Sequence, residues 1–476
     1  MKKLFYVLIA AMATSLLGGC GLGTGSSAPP PPWANTNAPL FNSPDNGATA
    51  GDGRVELQWI PTSGVEYWVF AATNSALTAF NWTGLANAQA LVAAPTPSYM
   101  CGLIDNLPYY FATNGRIDGG PGGASSSTIT ATPYDASTKW LRNITSFTSP
   151  IYGLGYTSLT TCANNTALSA TGTFAAVGQG GAIFTSADGI SWAQQTTPVG
   201  FSANLNAVAG YAANQNNATT PGLRWVAVGN GGASVYSLDG ITWTVGNPAN
   251  SSSSANPGNN TLRSITQVGG TFWAVGDKGT VINSSDGINW NSAWASITTN
   301  NLNGISYAGG VYVAVGDSGT IMTNGTLVTP APTIQKLNQV AAIATAYGSI
   351  YVAVGANGTI VTSDSYHGTG AWTAMALPGA PNLVGVTVES RGVETQTAYT
   401  NAPLPDSKLG FIASAQFVAI DDAGNAYTSL NGYDWTTTAN PTGKIPTGTT
   451  SLNAIVSSGF GYIAAGNTTD FPVYAF

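Results

Sequence analysis

From about Trp140 onward, one pattern of apolar and polar positions comes round again and again. A short strand led by leucine opens each round: LNAV from Leu205, LRSI from Leu262, LNGI from Leu302, LNQV from Leu337, LVGV from Leu383 and LNAI from Leu452. A nearly all-apolar strand follows and runs into a tight turn: FAAVGQGG, WVAVGNGG, FWAVGDKG, YVAVGDSG, YVAVGANG, FVAIDDAG and YIAAGN. A third strand then leads, in most rounds, into S-x-D-G-x-x-W and a final strand. The leading leucine recurs at intervals from 35 residues (302 to 337) to 69 (383 to 452), the variation falling in Asn-, Gly- and Pro-rich loops. Four strands per round at this spacing predict the blades of a β-propeller. Seven copies of the second strand predict seven blades. The last round stops at PVYAF, one strand short, and KWLRNITSFTSP (Lys139 to Pro150) has the character of a fourth strand with no predecessors. Pairing the two closes the ring and removes exposed edges.

Ahead of the repeat the period changes to two. Val55, Leu57 and Trp59 share one face of a predicted strand, and Tyr67 and Val69 share one face of the next. Further strands broken by Gly and Pro fill out residues 45–133 as a small β-sandwich. The fold class is therefore all-β: a sandwich (45–133), then a seven-bladed propeller (139–476) closed by an N-terminal strand.

The first 44 residues are of a different kind. MKKLFYVLIAAMATSLLGGC sets Lys2 and Lys3 before an apolar run ending at Leu17, too short for a stable membrane span and suited to an export signal (1–19). Leu17, Gly18, Gly19 and Cys20 resemble the bacterial lipobox. That resemblance implies a diacylglyceryl thioether on Cys20, cleavage after Gly19 and acylation of the new amino terminus. Several acyl chains together anchor firmly where one does not. Gly21 after the cysteine implies export to the outer membrane. Residues 20–44, rich in Pro, Gly and Ser, read as a tether.

Two further resemblances rest on short motifs. Trp59, with Leu103 and Tyr109 at a tyrosine-corner spacing, makes residues 45–133 resemble a fibronectin type III domain, although Asp105 stands where proline is usual. The S-x-D-G-x-x-W turn resembles the Asp-box of sialidase-like and photosystem II assembly factor-like propellers, one residue shorter than the usual form. Its copies are Ser186, Asp188 and Trp192; Ser237, Asp239 and Trp243; Asp286 and Trp290; and Trp435, with Asn431 in place of the aspartate. The fourth round, TNGTLVTPAP, has none. Ser and Asp can bond the backbone of their own hairpin, glycine permits the turn, and tryptophan packs between blades. An active site is rarely copied around a ring, so the motif reads as a structural stitch.

Charge then narrows the chemistry. Only 7% of residues are charged, the net charge is −7, and no basic cluster exists, which argues against nucleic acid. His367 is the single histidine and sits in a polar stretch, so acid–base and transition-metal chemistry lack their usual residue. The sialidase resemblance implies three arginines, a tyrosine–glutamate pair and an acid. The propeller has only Arg142, Arg224, Arg263 and Arg391, and only Glu389 and Glu394, both expected in a long insertion of the sixth blade. No signal sets two carboxylates about 5 Å apart for retaining hydrolysis.

The best candidate surface is the set of turns after each second strand, with Gln179, Asn230, Asp277, Asp317, Asn357, Asp421 and Asp422 expected around the channel mouth. Asp277, Asp317, Asp421 and Asp422 together could hold Ca²⁺ or meet a polar partner, although Asp and Asn also simply suit tight hairpins. No other cofactor and no firm metal set is read. Insertions carrying Arg391, Tyr399 and Lys408 would lie on the opposite face. Cys101 and Cys162 either pair across the two domains or remain separate thiols. The expected function is a non-enzymatic, envelope-anchored lipoprotein whose propeller is a scaffold for an envelope or surface protein. The alternatives are an adhesin or lectin-like module binding surface glycans, then a sialidase-like glycoside hydrolase.

Overall fold

The computed structural model describes residues 40–475 apart from 42–46, 52, 95, 118–121, 137–139, 143–146, 158–172, 213–222, 247–258, 295–296, 346–347, 365–370, 391–414, 438–450, 459–460 and 467–472. The alternating segment before the repeat folds into two antiparallel sheets. One joins Ala48–Gly51, Arg54–Leu57 and Ser98–Cys101; the other runs Gln89–Leu91, Glu66–Ala72, Tyr109–Arg116, Ile129–Ala131. Their facing sides bury Val55, Leu57, Trp59, Val69, Met100, Tyr109 and Phe111, as period-two alternation dictates. The Tyr109 hydroxyl accepts the Ile104 N–H at 3.2 Å, and Asp105 accepts the Gly53 N–H at 2.9 Å. Asp105 thereby ties the corner to the start of the second strand, a bond that proline could not supply. Leu77, Ala79 and Trp82 cover the outer side of the four-stranded sheet over Phe70.

The repeat folds into a series of four-stranded antiparallel sheets taken in chain order. The first sheet holds Ile151–Thr157, Thr173–Gly178, Ile183–Ser186 and Ala193–Gln194; the second Leu205–Ala212, Leu223–Gly229, Ser234–Ser237 and Trp243–Val245. The third holds Leu262–Val268, Thr271–Gly276, Val281–Ser284 and Asn291–Ser292; the fourth Leu302–Ala308, Val311–Gly316, Ile321–Thr323 and Thr326–Leu327. The fifth holds Leu337–Thr345, Gly348–Gly355, Thr359–Asp364 and Thr373–Ala376; the sixth Leu383–Ser390, Ala415–Asp421, Ala426–Ser429 and Thr436–Thr437. The last joins Leu452–Ser457, Tyr462–Gly466 and Val473–Ala475 to Leu141–Arg142 from far upstream, with Tyr474 opposite Leu141 and Val473 opposite Arg142. The first strand of each sheet packs against that of the next, and Leu452–Ser457 packs back onto Ile151–Thr157. This is a β-propeller.

The strand expected over Lys139–Pro150 is confined, among the described residues, to Leu141–Arg142. Its apolar flanks serve as anchors in two different places. Trp140 is buried with Val418, Ile420 and Tyr462, whereas Phe147 packs on Phe184 and Trp192 of the first sheet. The chain here passes from the last sheet to the first, which leaves little length for pairing.

One glycine recurs for a steric reason. A Cβ on Gly276 would collide with the carbonyl oxygen of Thr261, and the next amide, Asp277 N–H, donates to that same oxygen at 2.9 Å. Gly178, Gly229, Gly316, Gly355 and Gly466 meet the corresponding carbonyls of Pro150, Asn204, Asn301, Lys336 and Ser451. The A-V-G of the repeat is thus the close approach that starts each turn.

Candidate binding face at the channel mouth

The turns that follow are Gln179–Gly181, Asn230–Gly232, Asp277–Gly279, Asp317–Gly319 and Ala356–Gly358, whose middle residues have φ between 55° and 65°. At the same end each first strand begins, since Leu262 pairs with Gly276 and Leu302 with Gly316. The residue after the leading leucine turns out to link neighbouring sheets. Asn206 donates to the Leu262 carbonyl at 2.9 Å, Asn303 to Leu337 at 2.9 Å, Asn338 to Leu383 at 2.8 Å, and Asn453 to Ile151 at 2.8 Å, the last from the seventh sheet to the first. The L-N dipeptide was visible in the repeat, but nothing local in it says that the amide reaches across a seam.

The acidic residues of the turns are engaged sheet by sheet. Asp277 pairs with Arg263 at 2.6 Å. Asp317 accepts from Asn303 and Asn301, both at 2.9 Å, and Asp422 accepts from Asn382 at 2.8 Å. Asp421 occupies the place of the recurring glycine and is only 1% exposed. Its carboxylate accepts the N–H groups of Ala423 and Asn425, the Asn425 amide and the Tyr427 hydroxyl at 2.7–3.0 Å. Burial, then the bond to Asp421, pushes the Tyr427 hydroxyl well above the ordinary tyrosine range. Asn357 is the second residue of its turn and donates to Gln335; the Asn230 amide oxygen accepts from Asn206. Among the described residues no three His, Cys, Asp or Glu side chains come together as a metal cage.

Around this polar ring stand the links from the fourth strand of one sheet to the first of the next. They pack on the turns: Gly181 lies against Phe201, Gly279 against Thr298, Gly319 against Thr333. Three of them carry an apolar side chain in water. Val199 is fully exposed, Ile334 85% and Ile297 45%.

The S-x-D-G-x-x-W turns lie at the other end of the sheets, since Ser284 pairs with Phe272 at the start of its second strand. In the first of them, Asp188 Oδ1 accepts from Ser186 Oγ (2.9 Å) and from the N–H groups of Ile190 (2.8 Å) and Ser191 (2.7 Å). Gly189 N–H donates to Ser186 Oγ, and the Trp192 indole N–H returns to the Gly189 carbonyl at 3.0 Å. Ser237, Asp239 and Trp243 repeat the set, as do Ser429, Asn431 and Trp435; Ser284 and Asp286 repeat its serine–aspartate part, and Trp290 is fully buried. For Asp239 the Thr242 amide, helped by that of Ile241, holds the carboxyl down at about 2. At Asp188 and Asp286 burial pushes upward, but the same kinds of bond outweigh it and the net shift is downward. Two of these loops also grip the sheet before them: Gly287 sits on Val226 and Tyr236, Arg224 donates to the Ser285 carbonyl, and Thr362 donates to the Gly432 carbonyl.

Among the described residues, those weighed for hydrolysis do not converge. Glu389, expected in an insertion, instead ends the strand Leu383–Ser390, is buried, and accepts from Ser457 at 3.2 Å. Arg224 and Arg263 lie at opposite ends of their sheets. Arg391, Glu394, Tyr399, Lys408, His367, Cys20 and Cys162 fall outside the described residues. Cys101 is disulfide-bonded.

No protein-family model matches the chain, and no curated protein matches it in sequence. Among solved structures it is similar to YCF48 bound to D1 peptide (16% identity, covering 71% of this chain and 96% of that one, TM-score 0.42). It is also similar to YCF48 from Cyanidioschyzon merolae (14%, 71% and 98%, TM-score 0.45) and to the WD40 beta propeller domain of Doa1 (11%, 71% and 97%, TM-score 0.44).

Proposed function

We propose that this protein is a non-enzymatic scaffold that holds a protein partner on the mouth face of a closed, seven-bladed ring. The observation that carries the reading is the apolar rim of Val199, Ile297 and Ile334 around a polar centre of engaged amides and carboxylates. An apolar patch rimmed by polar groups on a rigid fold is how protein interfaces are built. The loops are held from beneath by the turns, so binding costs little ordering entropy. The seven sheets in succession, with the first strand of the last packed on that of the first, support the blade count.

On this reading Cys20 is lipidated and anchors the chain at the bacterial outer membrane, with residues 20–44 as tether. The sandwich, whose three- and four-stranded sheets and Tyr109–Ile104 corner suit a fibronectin type III domain, is a spacer. Cys162 is the partner of Cys101, since lipidation consumes Cys20.

The test is cross-linking in intact cells followed by purification through a C-terminal tag, comparing the native chain with Val199→Ser/Ile334→Ser and with Cys20→Ala. One protein captured with the native chain and lost from the folded rim variant supports the reading. Capture indifferent to the rim, or no captured protein, overturns it.

A further inference from the structure

Two of the boxes do more than brace their own hairpins and also cover the sheet before them. Gly287 of the third sheet lies over Val226 and Tyr236 of the second, and Gly432 of the sixth lies over Val352 and Thr362 of the fifth. The fourth sheet has no such loop. Its third and fourth strands are joined by the two-residue hairpin Asn324–Gly325, with φ of 46° and 80°. In place of a box, this hairpin sets Gly325 against Trp294 of the third sheet.

Four aromatic rings run along this seam. Trp294 and Trp273 lie 5.8 Å apart between centroids, Trp273 and Tyr312 4.2 Å, and Tyr312 and Tyr307 4.6 Å. The Trp294 indole rests on Gly325, where a Cβ would come within 3.2 Å of it. All four are half-buried. Pairing of Trp273 with Asn283, and of Asn283 with Asn291, puts these three side chains on one flank of the third sheet. Asn291 is exposed and Asn283 half-buried. The Asn283 amide has no hydrogen-bond partner among the described residues, whereas the Asn324 amide is spent on Tyr312 N–H at 2.9 Å. No charged side chain belongs to the row.

We propose that this seam binds an uncharged saccharide. A pyranose offers an apolar C–H face, which stacks on indole or phenol rings, and a rim of hydroxyls, which an amide meets as both donor and acceptor. Aromatic walls with a few convergent polar groups are the usual make-up of a small-ligand site. An anionic ligand would find no cation among the described residues of the row. The inference goes beyond the protein-binding reading and uses the end of the sheets away from the turns, so each can fail alone.

The test titrates the full-length protein with cellohexaose, maltohexaose and N-acetylchitohexaose, following tryptophan fluorescence and calorimetric heat, with polygalacturonate as an anionic comparison. Saturable binding of a neutral hexaose is expected, weakened about fivefold by Asn283→Ala, abolished by Trp294→Ala and unchanged by Phe80→Ala on the sandwich. Asn283→Ala should leave the unfolding midpoint in place, and it decides the matter if Trp294→Ala loosens the seam. No saturable binding of any neutral hexaose, binding of polygalacturonate alone, or binding indifferent to Asn283→Ala would overturn the proposal.

Discussion

Replacing Asp239 by alanine and by asparagine separates two accounts of the repeated turn. Asp239 Oδ1 accepts from Ser237 Oγ (2.9 Å), Ile241 N–H (2.8 Å) and Thr242 N–H (2.7 Å). Alanine removes all three bonds, but the loop is exposed and water can satisfy the freed amides. The loss is therefore the net value of each bond, and the total comes to roughly 1–3 kcal/mol. Asparagine should cost about 0.5 kcal/mol, because Asn431 in the sixth sheet already accepts from Ser429, Tyr433 and Asp434 in the same way. Urea unfolding followed by tryptophan fluorescence, with an unchanged denaturant slope, reads both numbers. The sign of the pH dependence follows from the lowered folded value. The carboxylate's contribution is full above its ordinary 3.8 and is lost as pH falls through about 2, so the native chain's advantage over Asp239→Asn should vanish there. Asparagine as damaging as alanine would refute the reasoning, since it would mean the turn needs charge, as a cation site does, rather than an acceptor in that place.

Other outcomes follow from single contacts. Gly276→Ala drives a Cβ into the Thr261 carbonyl and should destabilise by about 1–3 kcal/mol, measured by the same unfolding assay. Asn453→Ala removes the amide bridge from the seventh sheet to the first and should cost about 1 kcal/mol, with faster amide exchange confined to Ile151–Thr157 and Leu452–Ser457. Reducing the Cys101 disulfide should lower stability by about 2–4 kcal/mol, read as a lowered unfolding midpoint in reductant. Millimolar Ca²⁺ should leave the midpoint unmoved, because Asp277, Asp317 and Asp422 are held by separate partners; a rise would show a cation site at the mouth.

What could be read before the structure was whatever depends on local period. The leading leucines, the A-V-G strands and the alternation at Val55, Leu57 and Trp59 each report a buried face, and burial recurs with the strand period wherever a sheet packs. The β-propeller follows from those strands alone. Contacts across seams are another matter, because identical letters take different neighbours. Asp421 and Asp422 are adjacent, yet one is buried beneath its own turn and the other meets Asn382 at the surface. Glu389 looked like part of an insertion because the strand pairing it to Gln416 runs several residues past the repeat motif. The aromatic row was hidden for a different reason: only the register of Trp273 with Asn283 sets ring and amide on one flank.

The central claim is that Leu141–Arg142, ahead of the first sheet, is zipped to the last strand of the repeat, closing one ring on which the binding faces are carried. Tyr474 lies opposite Leu141 in the antiparallel pair, where Cα atoms are about 4.5–5.5 Å apart, within reach of a disulfide. Leu141→Cys/Tyr474→Cys, oxidised without denaturant and mapped by peptide mass spectrometry, measures that pairing. The account predicts a near-complete bridge between residues 141 and 474 and a higher unfolding midpoint. Free thiols at both positions in the folded protein would contradict it, and with it the ring.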